Sequence, residues 1–225
     1  MSRRVEPAVR ITEMFYSIQG EGRRAGLPTT FVRTTGCHLR CSWCDAAYTF
    51  TGGEERKLDE VMAFVRAQPT REVCFTGGEP LLQKEAWAFI DQLLGEGFSV
   101  LVETAGNLDF GRADAYPPDA RARLCISMDV KCPSSGEHAK NKPEHMELLR
   151  PSDQLKFVVA DRADYDYAVA LLRERGLPPC PVYLNPVGGV DPRHVTEWLL
   201  AETEPLPVHV GVQLHKLVWG DERGR

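Results

Sequence analysis

At 225 residues the chain is long enough for one well-buried core and stands near the upper size of a single domain. A hydrophobic fraction of 43% beside 26% charged residues is ordinary for a soluble globular protein, and no run approaches the ~18 apolar residues that a membrane span needs. A net charge of −5 argues against a broad nucleic-acid-binding face.

The opening stretch MSRRVEPAVRITEMF has no apolar leader segment, so the expectation is a cytoplasmic protein, where clustered cysteines hold metal more often than they form disulfides. GEGRRA, residues 20–25, matches the dinucleotide pattern G-x-G-x-x-A, but GLPTTF follows where that pattern must open a helix. Its glycines read instead as a tight turn or a close backbone approach to a ligand. FVRTTG then forms a strand leading into CHLRCSWC, residues 37–44. KLDEVMAFVRAQ spaces Leu58, Val61, Met62 and Val65 as a helix that stops before Pro69. REVCFTGG is a buried strand ending in glycines, and PLLQKEAWAFIDQLLGEG a helix with Pro80 near its start and Gly95 near its end. FSVLVETAG, LCISMDVK and QLKFVVAD are strands; ADYDYAVALLRERG is a helix, PVYLNPVGG a strand, DPRHVTEWLLAE a helix and PVHVGVQLHKLVW a last strand. Cys74 and Cys125, lying in apolar runs, read as small core residues.

Seven strand candidates with four helices between them imply parallel strands joined by right-handed crossovers. The chain is short of the ~250 residues of a full eight-fold barrel, and the crossovers over residues 104–122 and 132–153 look loop-like. The expected fold is therefore an incomplete α/β barrel, of about six parallel strands with reduced helical content, filling one domain over residues 1–225 with a short N-terminal extension and a C-terminal closing segment. An open doubly wound sheet is the alternative.

Cys37, Cys41 and Cys44 put three thiols within eight positions and supply no fourth nearby. Thiolates suit zinc or an iron–sulfur cluster. Structural zinc needs a fourth ligand, which only a distant Cys132 or Cys180 offers. A cubane cluster held by three thiolates would leave one iron open, a catalytic position.

Cys37-x3-Cys41-x2-Cys44, with Trp43 before the last cysteine, resembles the motif of the radical S-adenosylmethionine enzymes, and FTGGEP, residues 75–80, resembles their GGEP motif. FYSIQGEG, FVRTTGCHLRCSWCD, FTGGEPLLQ, LVETAG, DVKCPSSGE, QLKFVV and QLHKLVWG together resemble one family among them, the 7-carboxy-7-deazaguanine synthases. The resemblance implies a 4Fe–4S cluster on Cys37, Cys41 and Cys44. It also implies S-adenosylmethionine as a regenerated cofactor, and ring contraction of 6-carboxy-5,6,7,8-tetrahydropterin with loss of ammonia on the path to 7-deazapurines such as queuosine. It implies Gly78, Glu79, Glu103, Asp129, Lys131 and Asn185 on the cofactor, and Ile18, Gln19, Gly20, Arg33 and Thr76 on the substrate. Asp129-Val130-Lys131 stands where relatives often read Ser-Pro-Lys, and Gln213 and His215 would close the substrate side. It further implies a flavodoxin or ferredoxin as electron donor and a homodimer, for which the segment ending at Trp219 offers apolar surface.

Magnesium usually assists in this family through a Ser or Thr two positions after the last cysteine; here that position is Ala46, so Asp45, a water or Thr49 must compensate or the dependence on magnesium is weak. Two other classes stay open on the residues alone. A radical-activating enzyme would consume S-adenosylmethionine and need a protein partner; a zinc-stabilised binding module would be colourless.

Overall fold

In this computed structural model residues 6–224 are described; the first five residues, part of the stretch read for a leader, lie outside them. Among the described residues nine strands form one sheet: β1 (Ala8–Ile18), β2 (Pro28–Thr34), β3 (Glu54–Lys57), β4 (Glu72–Gly77), β5 (Ser99–Thr104), β6 (Leu124–Val130), β7 (Gln154–Val159), β8 (Val182–Pro186) and β9 (His209–Val210). Their spatial order is β3-β1-β2-β4-β5-β6-β7-β8-β9. From β2 to β9 every neighbouring pair is parallel, while β1 pairs antiparallel with both β2 and β3. The parallel strands never reverse order, as a doubly wound sheet must. Successive crossovers therefore stack on one face, and the sheet curls into a barrel left open between β3 and β9.

Six α-helices among the described residues accompany the sheet: α1 (Leu58–Arg66), α2 (Ala86–Gly95), α3 (Pro118–Arg123), α4 (Arg162–Arg175), α5 (Pro192–Leu200) and α6 (Leu214–Trp219). The predicted apolar stripe of α1 is the one buried, and α2 buries Phe89, Ile90, Leu93 and Leu94. The Asp161 side chain caps α4 by accepting from Asp164 N at 3.0 Å, and Gly176 ends it at φ 82°. These faces pack on one side of the strands, against Val32, Phe75, Val102, Ile126, Leu155, Phe157 and Leu184. The intervening residues point inward, where Phe31, Cys74, Leu101 and Cys125 form a small apolar plug with Phe15.

Five elements differ from the sequence reading, and two of them are additions: α3 lies in the crossover over residues 104–122 that reads as loop-like, and β3 forms where no strand is expected. The helix expected from Pro80 opens as a 3-10 turn, Pro80–Leu82, and α2 begins only at Ala86. The delay has a cause: Gln83 donates to Thr35 O at 2.7 Å and accepts from Arg10 N at 3.0 Å, which holds its backbone extended. The expected last strand pairs only at His209–Val210; beyond Gly211 the chain turns across the barrel mouth and becomes α6. Finally, the segment ahead of the first predicted strand is itself the long antiparallel strand β1, covered at its outer edge by β3.

Candidate active site

Alternation along the parallel strands builds the site. Two residues beyond the apolar plug, at the C-terminal ends of the same strands, stand Arg33, Thr76, Glu103 and Ser127. Asp129, Lys156 and Asn185 continue this inward row on β6, β7 and β8. Apolar residues thus seal the bottom and polar ones face a cavity of about 710 Å³, within the range of roughly 300–1,000 Å³ usual for small-molecule sites.

The loop after β2 carries Cys37, Cys41 and Cys44 to one wall of this cavity, each half-buried and none in a disulfide. Leu39 N donates to Cys37 Sγ at 3.4 Å, and Leu39 itself is buried as an anchor. The 133–137 segment clasps the loop: Ser42 N donates to Ser135 O at 3.0 Å, Trp43 Nε1 to Ser134 Oγ at 3.0 Å, and Arg40 N to Glu137 Oε1 at 2.6 Å. That segment is fixed by the buried carboxylate of Asp164, which accepts from Ser134 N at 2.9 Å and from the Ser134 hydroxyl. Burial pushes all three thiols up, against the nearby Lys131 ammonium, so metal binding must displace their protons. Cys132 and Cys180 are buried and do not line the cavity.

A charged ladder starts beside the thiols at Lys131, whose ammonium lies 5.7 Å from the centroid of the Trp43 ring. Lys131 Nζ donates to Asp129 Oδ2 at 2.9 Å, Lys156 Nζ lies 3.7 Å from the same oxygen, and Lys156 donates to Glu21 Oε2 at 2.8 Å. Glu21 also accepts from Asn185 Nδ2 at 3.1 Å and Gln213 Nε2 at 2.7 Å. Burial alone would raise the Glu21 carboxyl, but Lys156, Gln213 and His215 outweigh it and hold the pKa at about 2. Asp129 Oδ1 and Asn185 Oδ1 are buried acceptors with no donor among the described residues, and both side chains line the cavity. Such orphans call for a ligand's hydroxyl or amine.

Next to the plug, Gln19 Nε2 donates to Glu103 Oε1 at 3.3 Å and Thr76 Oγ1 to Glu103 Oε2 at 2.8 Å. Phe15 and Phe31 stack at 4.7 Å, with Arg33 over Phe15 at 6.0 Å. Burial works against the Arg33 charge, and Tyr48, Glu103 and Glu13 outweigh it, so the guanidinium stays ionised. The C-terminal segment closes the mouth: Leu214 N donates to Gly20 O at 2.9 Å, and His215 packs where a Cβ on Gly20 would lie. The glycines of residues 20–25 serve close approach to side chains, His215 at Gly20 and Gln154 at Gly22, not to a dinucleotide.

Ile18, Gln19, Gly20, Arg33, the three cysteines, Thr76, Gly78, Glu103, Asp129, Lys131 and Asn185 all line this one cavity. Glu79 does not; it is fully buried, accepting from Leu81 N at 3.1 Å, Thr104 Oγ1 at 2.9 Å and Ala105 N at 2.8 Å, and so ties together the turns after β4 and β5. Burial raises its pKa against those donors. Glu103, expected on the cofactor, sits between two residues expected on the substrate. Glu21 and Lys156 were missed, although Glu21 lies inside the quoted SIQGEG stretch.

The donor set fits an iron–sulfur cluster with a small-molecule ligand: three thiols share one cavity with the orphaned acceptors and the Lys131 ammonium. It does not fit magnesium. Ala46 lines the cavity without a side-chain oxygen, the Thr49 hydroxyl donates to Ala46 O at 2.7 Å, and Asp45 lies 3.7 Å from Lys216.

Comparison with known proteins bears on the fold and the family. Residues 31–128 match the model of the Radical SAM superfamily. The chain is 39% identical to the 7-carboxy-7-deazaguanine synthase of Koribacter versatilis, over 95% of this chain and 98% of that one. It is also 39% identical to the 7-carboxy-7-deazaguanine synthase of Thermoplasma acidophilum, over 95% and 99%. The crystal structure of QueE from Escherichia coli shares the fold, with a TM-score of 0.73 over 92% of this chain and 95% of that one, at 22% identity.

Proposed function

The chain belongs to the 7-carboxy-7-deazaguanine synthase family of radical S-adenosylmethionine enzymes, and on that premise we propose that its cavity contracts 6-carboxy-5,6,7,8-tetrahydropterin to 7-carboxy-7-deazaguanine with loss of ammonia. The observation that carries this reading is the sharing of one cavity by the thiols of Cys37, Cys41 and Cys44 and the ring of Arg33, Thr76, Glu103 and Gln19.

When bound, the cluster and S-adenosylmethionine supply the 5′-deoxyadenosyl radical that starts the rearrangement. The residues of the chain bind and orient. Arg33 grips the substrate carboxylate with a planar donor pair. Gln19 and the Glu103 carboxylate, steadied by Thr76, take the donors and acceptors of the pterin edge, over the stacked Phe15 and Phe31. In this reading Glu103 belongs with the substrate rather than the cofactor. Lys131 holds the methionine carboxylate, Gly78 lines the cavity for the methionine part and lets the cysteine loop pack on it at Gly36, and Asp129 and Asn185 accept from ribose and adenine. Gln213 and His215, carried by the closing segment, exclude water.

We also read the enzyme as weakly dependent on magnesium, as a cytoplasmic homodimer, and as reduced by a flavodoxin or ferredoxin. Turnover that is abolished by chelation and restored by magnesium contradicts the first of these; a single-chain mass in light scattering contradicts the dimer. The whole reading is tested by anaerobic incubation with the carboxylated tetrahydropterin, S-adenosylmethionine and a reductant. The expected result is 7-carboxy-7-deazaguanine without net loss of S-adenosylmethionine. Its accumulation as 5′-deoxyadenosine with no ring-contracted product overturns the assignment.

A further inference from the structure

Strand β1 breaks register at one place. Ile11 pairs with Thr34 and Glu13 pairs with Arg33, so Thr12 is one residue too many. Had pairing continued regularly from Ile11, Thr12 would stand opposite Arg33, and Glu13 would share the face on which Ile11 enters the apolar core. The bulge reverses that alternation and delivers a carboxylate to the cavity side, directly across from Arg33.

The carboxylate is fully engaged there. Arg33 Nε donates to Glu13 Oε1 at 2.8 Å, and the Tyr48 hydroxyl donates to the same oxygen at 2.8 Å. On the other side Arg223, from the C-terminal segment, lies 3.5 Å from Glu13 Oε2 and 3.8 Å above the Tyr48 ring. The two Nη groups of Arg33 donate to nothing among the described residues, while Arg33 itself lines the cavity. A guanidinium pinned through Nε keeps its Nη pair free, and that pair matches the two oxygens of a carboxylate.

We propose that Glu13 is a positioning residue: it fixes Arg33 so that the Nη pair faces a carboxylate ligand in the cavity, while Tyr48 and Arg223 absorb the Glu13 charge that would otherwise repel that ligand. The proposal deepens the reading of the cavity as a site for a carboxylated pterin, and it rests on that reading. Glu13 acts through Arg33 and touches no ligand.

The test compares pterin-6-carboxylate with pterin lacking the carboxylate, by calorimetric titration of the anaerobically reconstituted enzyme with S-adenosylmethionine and no reductant. Wild-type protein is expected to bind the carboxylated ligand more tightly. Glu13→Ala is expected to weaken that ligand by about tenfold, the loss of one charge-assisted contact, and to leave the unsubstituted pterin within about twofold. Tyr48→Phe, which leaves Arg33 untouched, is expected to give a smaller loss with the same selectivity; it decides the question should Glu13→Ala fail to fold by circular dichroism. Equal losses for both ligands, or none, overturn the positioning role alone. Wild-type protein that does not distinguish the two ligands overturns the cavity reading and the proposal with it.

Discussion

Glu21 and Lys156 stand side by side in the cavity, each side chain 14% exposed, and their pairing makes stability depend on acid. The Glu21 pKa falls from the ordinary 4.5 to about 2 in the folded protein. A depressed carboxyl contributes stability that is complete above its unfolded value, so this contribution is lost as pH falls from about 4.5 through about 2. Glu21→Gln is expected to flatten that part of the acid-unfolding curve and, by leaving Lys156 unpaired, to cost roughly 3 kcal/mol near neutrality. Urea midpoints measured across this pH range check it; an unchanged acid limb contradicts the pairing. The pair was hard to read in sequence because its members lie 135 positions apart. A single lysine in QLKFVV also looks like a solvated strand position. Glu79 misleads the other way: GGEP places it beside the cavity in sequence, yet three donors from the turns after β4 and β5 claim its oxygens.

At the scale of elements, alternation of apolar runs with helical spacings located β4 to β8 and the helices α1, α4 and α5 almost to their ends. It failed where tertiary contacts decide. The Thr12 bulge interrupts the period of two that would have marked β1, and Gln83 delays α2 by bonding to another strand. The closing segment was read as a strand, although Leu214, Leu217 and Val218 already have the spacing of a helix face. Its docking depends on Gly20, where an added Cβ would occupy the place of the His215 ring. Gly20→Ala is therefore expected to loosen α6 from the mouth, with faster tryptic cleavage at Lys216 and weaker binding of carboxylated pterin. Unchanged cleavage would show that the segment is held by its other contacts.

For the whole molecule, sequential strand order is what separates a curling, barrel-like sheet from a doubly wound one; the alternation of strands and helices implied parallel strands, but only the pairing excludes the doubly wound order. The antiparallel pair β1 and β3 was not readable, because β3 is four exposed polar residues, EERK, which carry no strand pattern of their own. In the single chain α6 exposes Leu217 at 73% and Val218 at 54%, the patch on which the proposed dimer would draw.

All of the chemistry depends on the loop that brings Cys37, Cys41 and Cys44 into the cavity that Lys156 and Asn185 also line. The most direct measurement is iron and sulfide analysis of the anaerobically reconstituted protein, with electron paramagnetic resonance of the reduced form with and without S-adenosylmethionine. The account expects brown protein whose 4Fe–4S spectrum changes when S-adenosylmethionine is added, and loses both features in Cys41→Ala. Colourless protein carrying stoichiometric zinc, or a cluster whose spectrum ignores S-adenosylmethionine, contradicts it.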